Sequence, residues 1–132
     1  MEQDKLILKA LSGDSLSSGQ LKLYAFTFQE EPVGCVELYN YDPVNRRAAV
    51  GIVVSNEYRH QGFGFAMLQS LTLFCKENTS LHQLYADIAA TNETSIHIFR
   101  KAGYAHCATM RDWVVRADHF IDTHRYQLLL ES

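Results

Sequence analysis

Arg59-His60-Gln61-Gly62-Phe63-Gly64 is the stretch of this chain whose residue types and spacing point to chemistry. A short β-branched run, Ile52-Val53-Val54, precedes it; Phe65, Leu68, Leu71 and Phe74-Cys75 follow at three- and four-residue intervals. That order predicts a strand, a turn, and a helix with one buried face. The start of a helix leaves several backbone N–H groups unpaired, with the positive end of the helix dipole behind them. Two glycines let the backbone approach a ligand where a Cβ would intrude. The chemistry this favours is the grip of an anion such as phosphate. The plain alternative is a helix N-terminus that happens to carry glycines.

The elements that must position this turn are legible on both sides of it. Leu21, Leu23, Ala25 and Phe26-Thr27-Phe28 alternate as a strand, Glu30-Glu31-Pro32 reads as a turn, and residues 33–41 read as a second strand paired to the first. Asp42-Pro43-Val44-Asn45 is another turn, and residues 48–54 return as a third strand. After the turn come a helix to about Asn78, a strand at residues 83–89, a loop Ala90-Thr91-Asn92 and a helix at residues 93–101 ending at Gly103. Residues 104–116 and 120–130 close the chain as two strands around Ala117-Asp118-His119. Residues 1–19 are the least legible: Leu6-Ile7-Leu8 suits a strand or a helix end, and residues 12–19 are rich in Ser and Gly, hence a loop. The order predicts a mixed α/β (α+β) fold with a mostly antiparallel sheet and flanking helices.

Composition narrows the function classes. The 132 residues suit one domain, residues 1–132, with a proper core. A net charge of −3 and a pI near 6.0 argue against nucleic-acid binding through a basic surface. No apolar run approaches the ~18 residues of a membrane span, and the first residues lack the pattern of a signal peptide. Cys35, Cys75 and Cys107 fit no zinc spacing, and small buried free thiols in a reducing cytoplasm are expected, with no metal.

Three phosphate-binding motifs compete for the turn. A dinucleotide site needs GxGxxG, and the third glycine is missing from Gly62-Phe63-Gly64-Phe65-Ala66-Met67. A Walker loop needs Gly-Lys-Ser/Thr, which is absent. The third motif, (Arg/Gln)-x-x-Gly-x-(Gly/Ala), is matched by Arg59 to Gly64. With it, Arg46-Arg47-Ala48, the segment Leu81-His82-Gln83-Leu84-Tyr85 and the block Asn92-Glu93-Thr94-Ser95-Ile96-His97-Ile98-Phe99-Arg100-Lys101-Ala102-Gly103-Tyr104 resemble the GNAT N-acetyltransferases of the spermidine and ribosomal-protein branches. The closing pair, Asp112-Trp113 through Phe120-Ile121-Asp122, resembles them too, so the likeness runs over residues 21–130 in order and spacing.

The resemblance implies acetyl-CoA as co-substrate, in a V-shaped opening between the strand before the glycine turn and the strand at residues 83–89. Backbone groups of Ile52, Val53 and Val54 would pair with the pantetheine arm. Amides of His60, Gln61, Gly62, Phe63 and Gly64, with Arg59 nearby, would hold the pyrophosphate, and Asn92 would touch the coenzyme near the pantetheine–phosphate junction. Arg100 and Lys101 could meet the ribose phosphate, although solvated helix charges are the preferred reading. Direct transfer needs a neutral amine and a proton for the leaving thiolate. Many family members supply that proton from a tyrosine seven residues after the asparagine; here that position is Phe99, which has none to give and is expected only as a contact of the coenzyme. Glu37, in the otherwise apolar VGCVELY, is the candidate base or amine-binding group, although the solvent face of its strand is an equal reading. Asp87 is open in the same way. Tyr39 and Tyr41 suit packing or a pocket wall, His97 suits the surface, and Arg111 and Trp113 suit the border of the acceptor site.

One departure stands out. The family places two helices between its first and second strands, and the interval from Ala10 to Leu21 is too short for them. The acceptor side is therefore expected to be open and completed by a second subunit, as a dimer. Two functions follow: an N-acetyltransferase acting on a primary amine (polyamine, protein N-terminus or other small amine), or a non-catalytic acyl-CoA-binding module or subunit.

Overall fold

The computed structural model describes residues 6–10 and 15–130. Seven strands form one sheet in the order β1-β2-β3-β4-β5-β7-β6. They are β1 (Ile7–Ala10), β2 (Leu21–Phe26), β3 (Pro32–Asp42), β4 (Arg47–Val54), β5 (Gln83–Ala89), β6 (Ala105–Arg116) and β7 (His119–Leu129). Helix α1 (Phe63–Asn78) crosses from β4 to β5, and α2 (Glu93–Lys101) from β5 to β6. Only β4 and β5 are parallel; every other neighbouring pair is antiparallel. The Leu6-Ile7-Leu8 segment belongs to an edge strand. Of the expected loop at residues 12–19, positions 12–14 lie outside the described residues; Leu16–Ser18 form a single 3₁₀ turn closed by Gly19.

Period-two patterning decides which face of the sheet is core. Leu21, Leu23 and Ala25 of β2, Val36 and Leu38 of β3, Ala48 and Val50 of β4, and Leu84, Ala86 and Ile88 of β5 are buried in one cluster. Against them lie Ala66, Met67, Leu68, Leu71 and Cys75 of α1, spaced three and four apart, and Phe99 of α2. Burying each of the large side chains contributes about 1.5–3 kcal/mol. Both helices that flank the sheet share this face. Gly64 of α1 shows the contact: a Cβ there would sit 3.0 Å from Ile98 Cδ1 of α2 and 3.7 Å from Ile52 Cδ1 of β4. Among the described residues no helix packs on the other face.

The cysteine expectation holds at one position of three. Cys75 is buried, and burial pushes its thiol up to about 12, but Cys35 is half-buried and Cys107 exposed. Cys35 sits on β3, whose other face carries the core, and Cys107 on β6, whose residues are exposed or half-buried throughout.

β3 hugs β4 closely enough to dictate a residue. A Cβ on Gly34 would lie 2.1 Å from the carbonyl oxygen of Val53 and 3.1 Å from Val54 Cα, both backbone atoms that cannot swing aside. Gly34→Ala should therefore destabilise by about 1–3 kcal/mol through overpacking. A urea midpoint unchanged from wild type would show that the two strands can part there.

Candidate functional site

The site begins where two strands stop pairing. β4 and β5 share only the rungs Arg47↔Gln83, Ala48↔Leu84 and Ala49↔Tyr85. Beyond them β4 stays on β3 as far as Val54↔Gly34, and β5 stays on β7 as far as Ala89↔Thr123. Residues 50–54 and 86–89 thus border a gap and leave backbone groups free along it. The Val54 carbonyl faces it, accepting Nε of Arg59 at 3.1 Å. By the alternation of an antiparallel ladder, the N–H and C=O of Ile52 point the same way.

The gap opens into a cleft of about 940 Å³ between the end of β4, the turn before α1 and the first turns of α2. Of the residues expected from the sequence, Ile52, Val53, Val54, Arg59, His60, Gly62, Phe63, Gly64 and Asn92 line it together. The turn gets its shape from two left-handed residues, His60 at φ 62° and Gly62 at φ 87°. Glycine adopts this conformation without the strain a Cβ brings, and Gly62 is the N-cap of α1. It offers no side chain to cap the helix, so amides of the first turn stay available toward the cleft. Tyr58 braces the turn from outside. Its ring meets Phe63 edge-on at 5.4 Å, and its hydroxyl donates to Glu31 Oε2 at 2.6 Å, a bond that raises the phenol pKa.

The α2 wall adds residues that the sequence did not single out. Glu93, Thr94 and Ser95 line the cleft, with His97, Ile98 and Lys101 one and two turns along. Lys101, preferred as a solvated helix charge, is exposed at the rim of the cleft, its ammonium 4.5 Å from the ring centroid of Phe65. Asn92 uses Oδ1 to cap α2, accepting from Ser95 N–H at 3.2 Å, which leaves its amide NH₂ as the group free to donate.

Two of the residues expected at the coenzyme stand apart. Gln61 turns away from the cleft and donates to the Glu57 carbonyl at 2.8 Å. Phe99 is 2% exposed, edge-on to Tyr104 at 4.9 Å, and belongs to the core rather than the cleft wall. Its neighbour Ile98 takes the cleft-facing position. The two glycines also divide their work: the space beside Gly64 is filled by Ile98 and Ile52, so Gly64 serves helix packing as well as the cleft.

Glu37 lies on the helix-free face. It stands opposite Gly51 in the β3–β4 ladder and opposite Lys22 in the β2–β3 ladder, and its carboxylate accepts from Gln20 Nε2. Tyr39 follows two residues later, opposite Ala49, and leans toward the gap: a methyl on Gly51 would sit 3.7 Å from its Cε1. On β5, Asp87 accepts two bonds from Arg125 of β7, Nε at 2.7 Å and an Nη at 2.9 Å. The guanidinium lies over the Tyr85 ring at 4.5 Å. This bidentate pair had no signature beyond an acid interrupting an apolar strand. Arg111 and Trp113 lie on β6, with Trp113 63% exposed beside the bulge between Met110 and Val114.

The family model "Acetyltransferase (GNAT) family" matches residues 7–104, and the chain belongs to that family. A spermidine N(1)-acetyltransferase of Escherichia coli (strain K12) is 33% identical over 75 residues, 57% of this chain and 40% of that protein. An N-alpha-acetyltransferase of Sulfurisphaera tokodaii is 27% identical over 70 residues, 53% of this chain and 42% of that protein. The chain thus spans less than half the length of the curated relatives it matches. Among solved structures, a Vibrio cholerae spermidine N-acetyltransferase in complex with CoA and spermine has a TM-score of 0.80 at 18% identity, over 86% of this chain and 68% of that one. A second Vibrio cholerae spermidine/spermine N-acetyltransferase structure, with manganese ions, has a TM-score of 0.84 at 16% identity, over 98% and 95%. These likenesses bear out the expected GNAT-like fold.

The setting of Phe99 gives a direct test. Its ring is enclosed by core, so Phe99→Tyr would carry a hydroxyl into a place without a partner and should lower stability by about 1–3 kcal/mol. An increase in the denaturation midpoint would mean that the ring edge reaches a polar neighbour after all.

Proposed function

We propose that this chain is an acetyl-CoA-dependent N-acetyltransferase, moving an acetyl group to a primary amine by direct transfer. The observation that carries it is the cleft: a parted pair of parallel strands leading to a helix N-terminus whose amides no side chain caps. An anion bound at that terminus would meet the dipole and the backbone donors together. Amides of residues 60–64 and Arg59 would grip the coenzyme pyrophosphate, with His60, Gln61, Gly62, Phe63 and Gly64 shaping the turn. The gap-facing backbone groups of Ile52 and Val54 would hold the pantetheine arm as an added strand would, with Val53 between them bonded to β3, and the Asn92 amide would bind near its phosphate end. Lys101, at the rim of the cleft, suits a phosphate further out.

The thioester would then lie in the gap, its carbonyl oxygen within reach of the Ile52 N–H, which can take up the charge that develops there. The acceptor would approach from the helix-free face, where Glu37 stands opposite Gly51 and can take a proton from the attacking nitrogen. The relatives named for spermidine and for protein N-termini support an amine acceptor of one of those kinds, or another small amine. Three free thiols, and no helix among the described residues long and apolar enough to cross a membrane, are consistent with a cytoplasmic setting.

A non-catalytic acyl-CoA-binding module is the second reading, favoured by Phe99, which has no proton to give. Two measurements separate them. Acetyl-CoA at about a hundred times its Kd should stabilise the protein by about 2.7 kcal/mol under either reading. Gly62→Val should remove that stabilisation, because a β-branched residue at φ 87° forces the turn to rearrange; if stabilisation persists, the coenzyme lies elsewhere. CoA release that depends on added amine, across polyamines, small amines and N-terminal peptides, belongs to the enzyme alone, and no release from any of them leaves the module.

The uncovered face supports a dimer in which a second copy closes the acceptor side. On that face Val53 is 59% exposed, and no helix among the described residues covers it. Light scattering after size exclusion should give twice the chain mass; a monomer that acetylates amines at ordinary rates would refute the closure.

A further inference from the structure

We propose that Tyr39 is the residue that protonates the departing CoA sulfur, from β3 and the helix-free face, in place of a group on α2. This role rests on the acetyl-transfer reading above. An alkyl thiolate leaves more readily when a proton meets it as the carbon–sulfur bond breaks. On the α2 side of the gap no phenol is available: Phe99 is enclosed, and Tyr104 is 3% exposed behind it in the core.

Tyr39 meets the geometric needs. Its ladder partner, Ala49, is the last β4 residue that pairs with β5, so its ring stands where the strands part. The ring reaches along β4 as far as Gly51, where a Cβ would sit 3.7 Å from its Cε1. Gly51 precedes Ile52, whose N–H faces the gap. The phenol therefore stands beside the place where the thioester would lie, across the sheet from the cleft. Among the described residues no hydrogen bond acts on its titration, in contrast to Tyr58, whose proton is already committed to Glu31.

The neighbours keep the proton in place until it is needed. Burial raises the Tyr39 pKa first, then Asp87 and Tyr85 on β5 and Glu37 on β3, while Arg125 on β7 opposes them. On β2, Lys22 faces Glu37 and Tyr24 faces Cys35 on the same side of the sheet. The Asp87–Arg125 pair fixes the far side, holding the guanidinium on the Tyr85 ring. At neutral pH the donor is thus fully protonated.

The step balances without another reagent. The amine nitrogen attacks the thioester carbon, and the C=O pair moves to oxygen. As that pair returns, the C–S bond breaks, its electrons leave on sulfur, and the Tyr39 O–H proton moves to sulfur. The nitrogen gives its proton to Glu37 and then to water, and the tyrosinate regains one from water. The products are an N-acetyl amine and CoA thiol.

The test is steady-state CoA release by the full chain with acetyl-CoA and whichever amine turns over. Tyr39→Phe keeps the ring and should lower kcat by about 100-fold. The acetyl-CoA Kd, measured by calorimetry, and the amine KM should stay within about twofold. Tyr24→Phe, which removes a phenol from the same face two strands from the gap, should leave kcat within about twofold. The role is overturned if Tyr39→Phe retains kcat, or if it raises the amine KM alone, which would make Tyr39 a pocket wall. It is also overturned if Tyr24→Phe loses as much as Tyr39→Phe. Turnover that survives Tyr39→Phe removes only this role, whereas no turnover of the wild type with any amine removes the enzyme reading and this role with it.

Discussion

Everything at the site follows from three rungs of parallel pairing. β4 and β5 meet at Arg47↔Gln83, Ala48↔Leu84 and Ala49↔Tyr85 and then part, because each is held by a different antiparallel partner to its end. Antiparallel ladders are the more stable per residue, so where the twist of the sheet sets the two demands against each other, the parallel pair yields. The outcome is a sheet with an internal edge. Edges in soluble proteins are usually covered or charged, since free N–H and C=O groups invite a further strand. Here the edge is walled by α1 and α2 at one end and left unfilled along its length. An extended, amide-bearing molecule is the natural occupant, and the coenzyme's pantetheine arm has that character.

The crossover geometry then places the phosphate end. A parallel pair needs a connection, and α1 supplies it, starting at Phe63 after the turn that follows β4 and packing back on the core face. Its N-terminus must therefore lie at the wide end of the gap. Left-handed backbone at His60 and Gly62 makes the sharp reversal possible, and Tyr58, clamped between Phe63 and Glu31, keeps the reversal from drifting. Gly64, two residues later, has a duty of its own: it lets Ile98 of α2 close on α1. The cleft thus has a floor set by strand pairing and walls set by helix packing, and neither depends on a long polar side chain.

That difference explains what could be read from the residues in advance. The donor half is made by backbone, and backbone geometry leaves strong traces: β-branched residues before a turn, glycines in it, helical periodicity after it, an asparagine cap before α2. Strand bounds at Gln83–Ala89 and helix bounds at Glu93–Lys101 were legible for the same reason. The open face proposed for the acceptor is made by side chains from three strands, β3, β5 and β7, that meet only on folding. Glu37, Tyr39, Asp87 and Arg125 are each ordinary residues of a half-exposed strand, and nothing local shows that Asp87 will be met from 38 residues away by a bidentate guanidinium. Phe99 misled for a related reason: a motif position carries a family's role only while its side chain carries the functional group, and without the hydroxyl the ring is free to join the core.

Charge pairing on the open face separates the two carboxylates. Asp87 is already satisfied by two charge-assisted hydrogen bonds, about twice as strong as neutral ones. An incoming ammonium would have to displace a guanidinium that is also stacked on Tyr85, so Asp87 is poorly placed to receive one. Glu37 has a neutral amide as its hydrogen-bond partner and Lys22 only as a ladder neighbour, not as a close ion pair. Of the two carboxylates beside the gap, Glu37 alone keeps capacity for a proton or a cation, while Asp87 fixes the shape of the wall. The absence of any helix over them, among the described residues, leaves both roles exposed to water. A carboxylate in water is a weak base and a weak cation site, because solvent screens and competes for it. Cover over this face would therefore strengthen acceptor binding through the same residues, without adding a catalytic group.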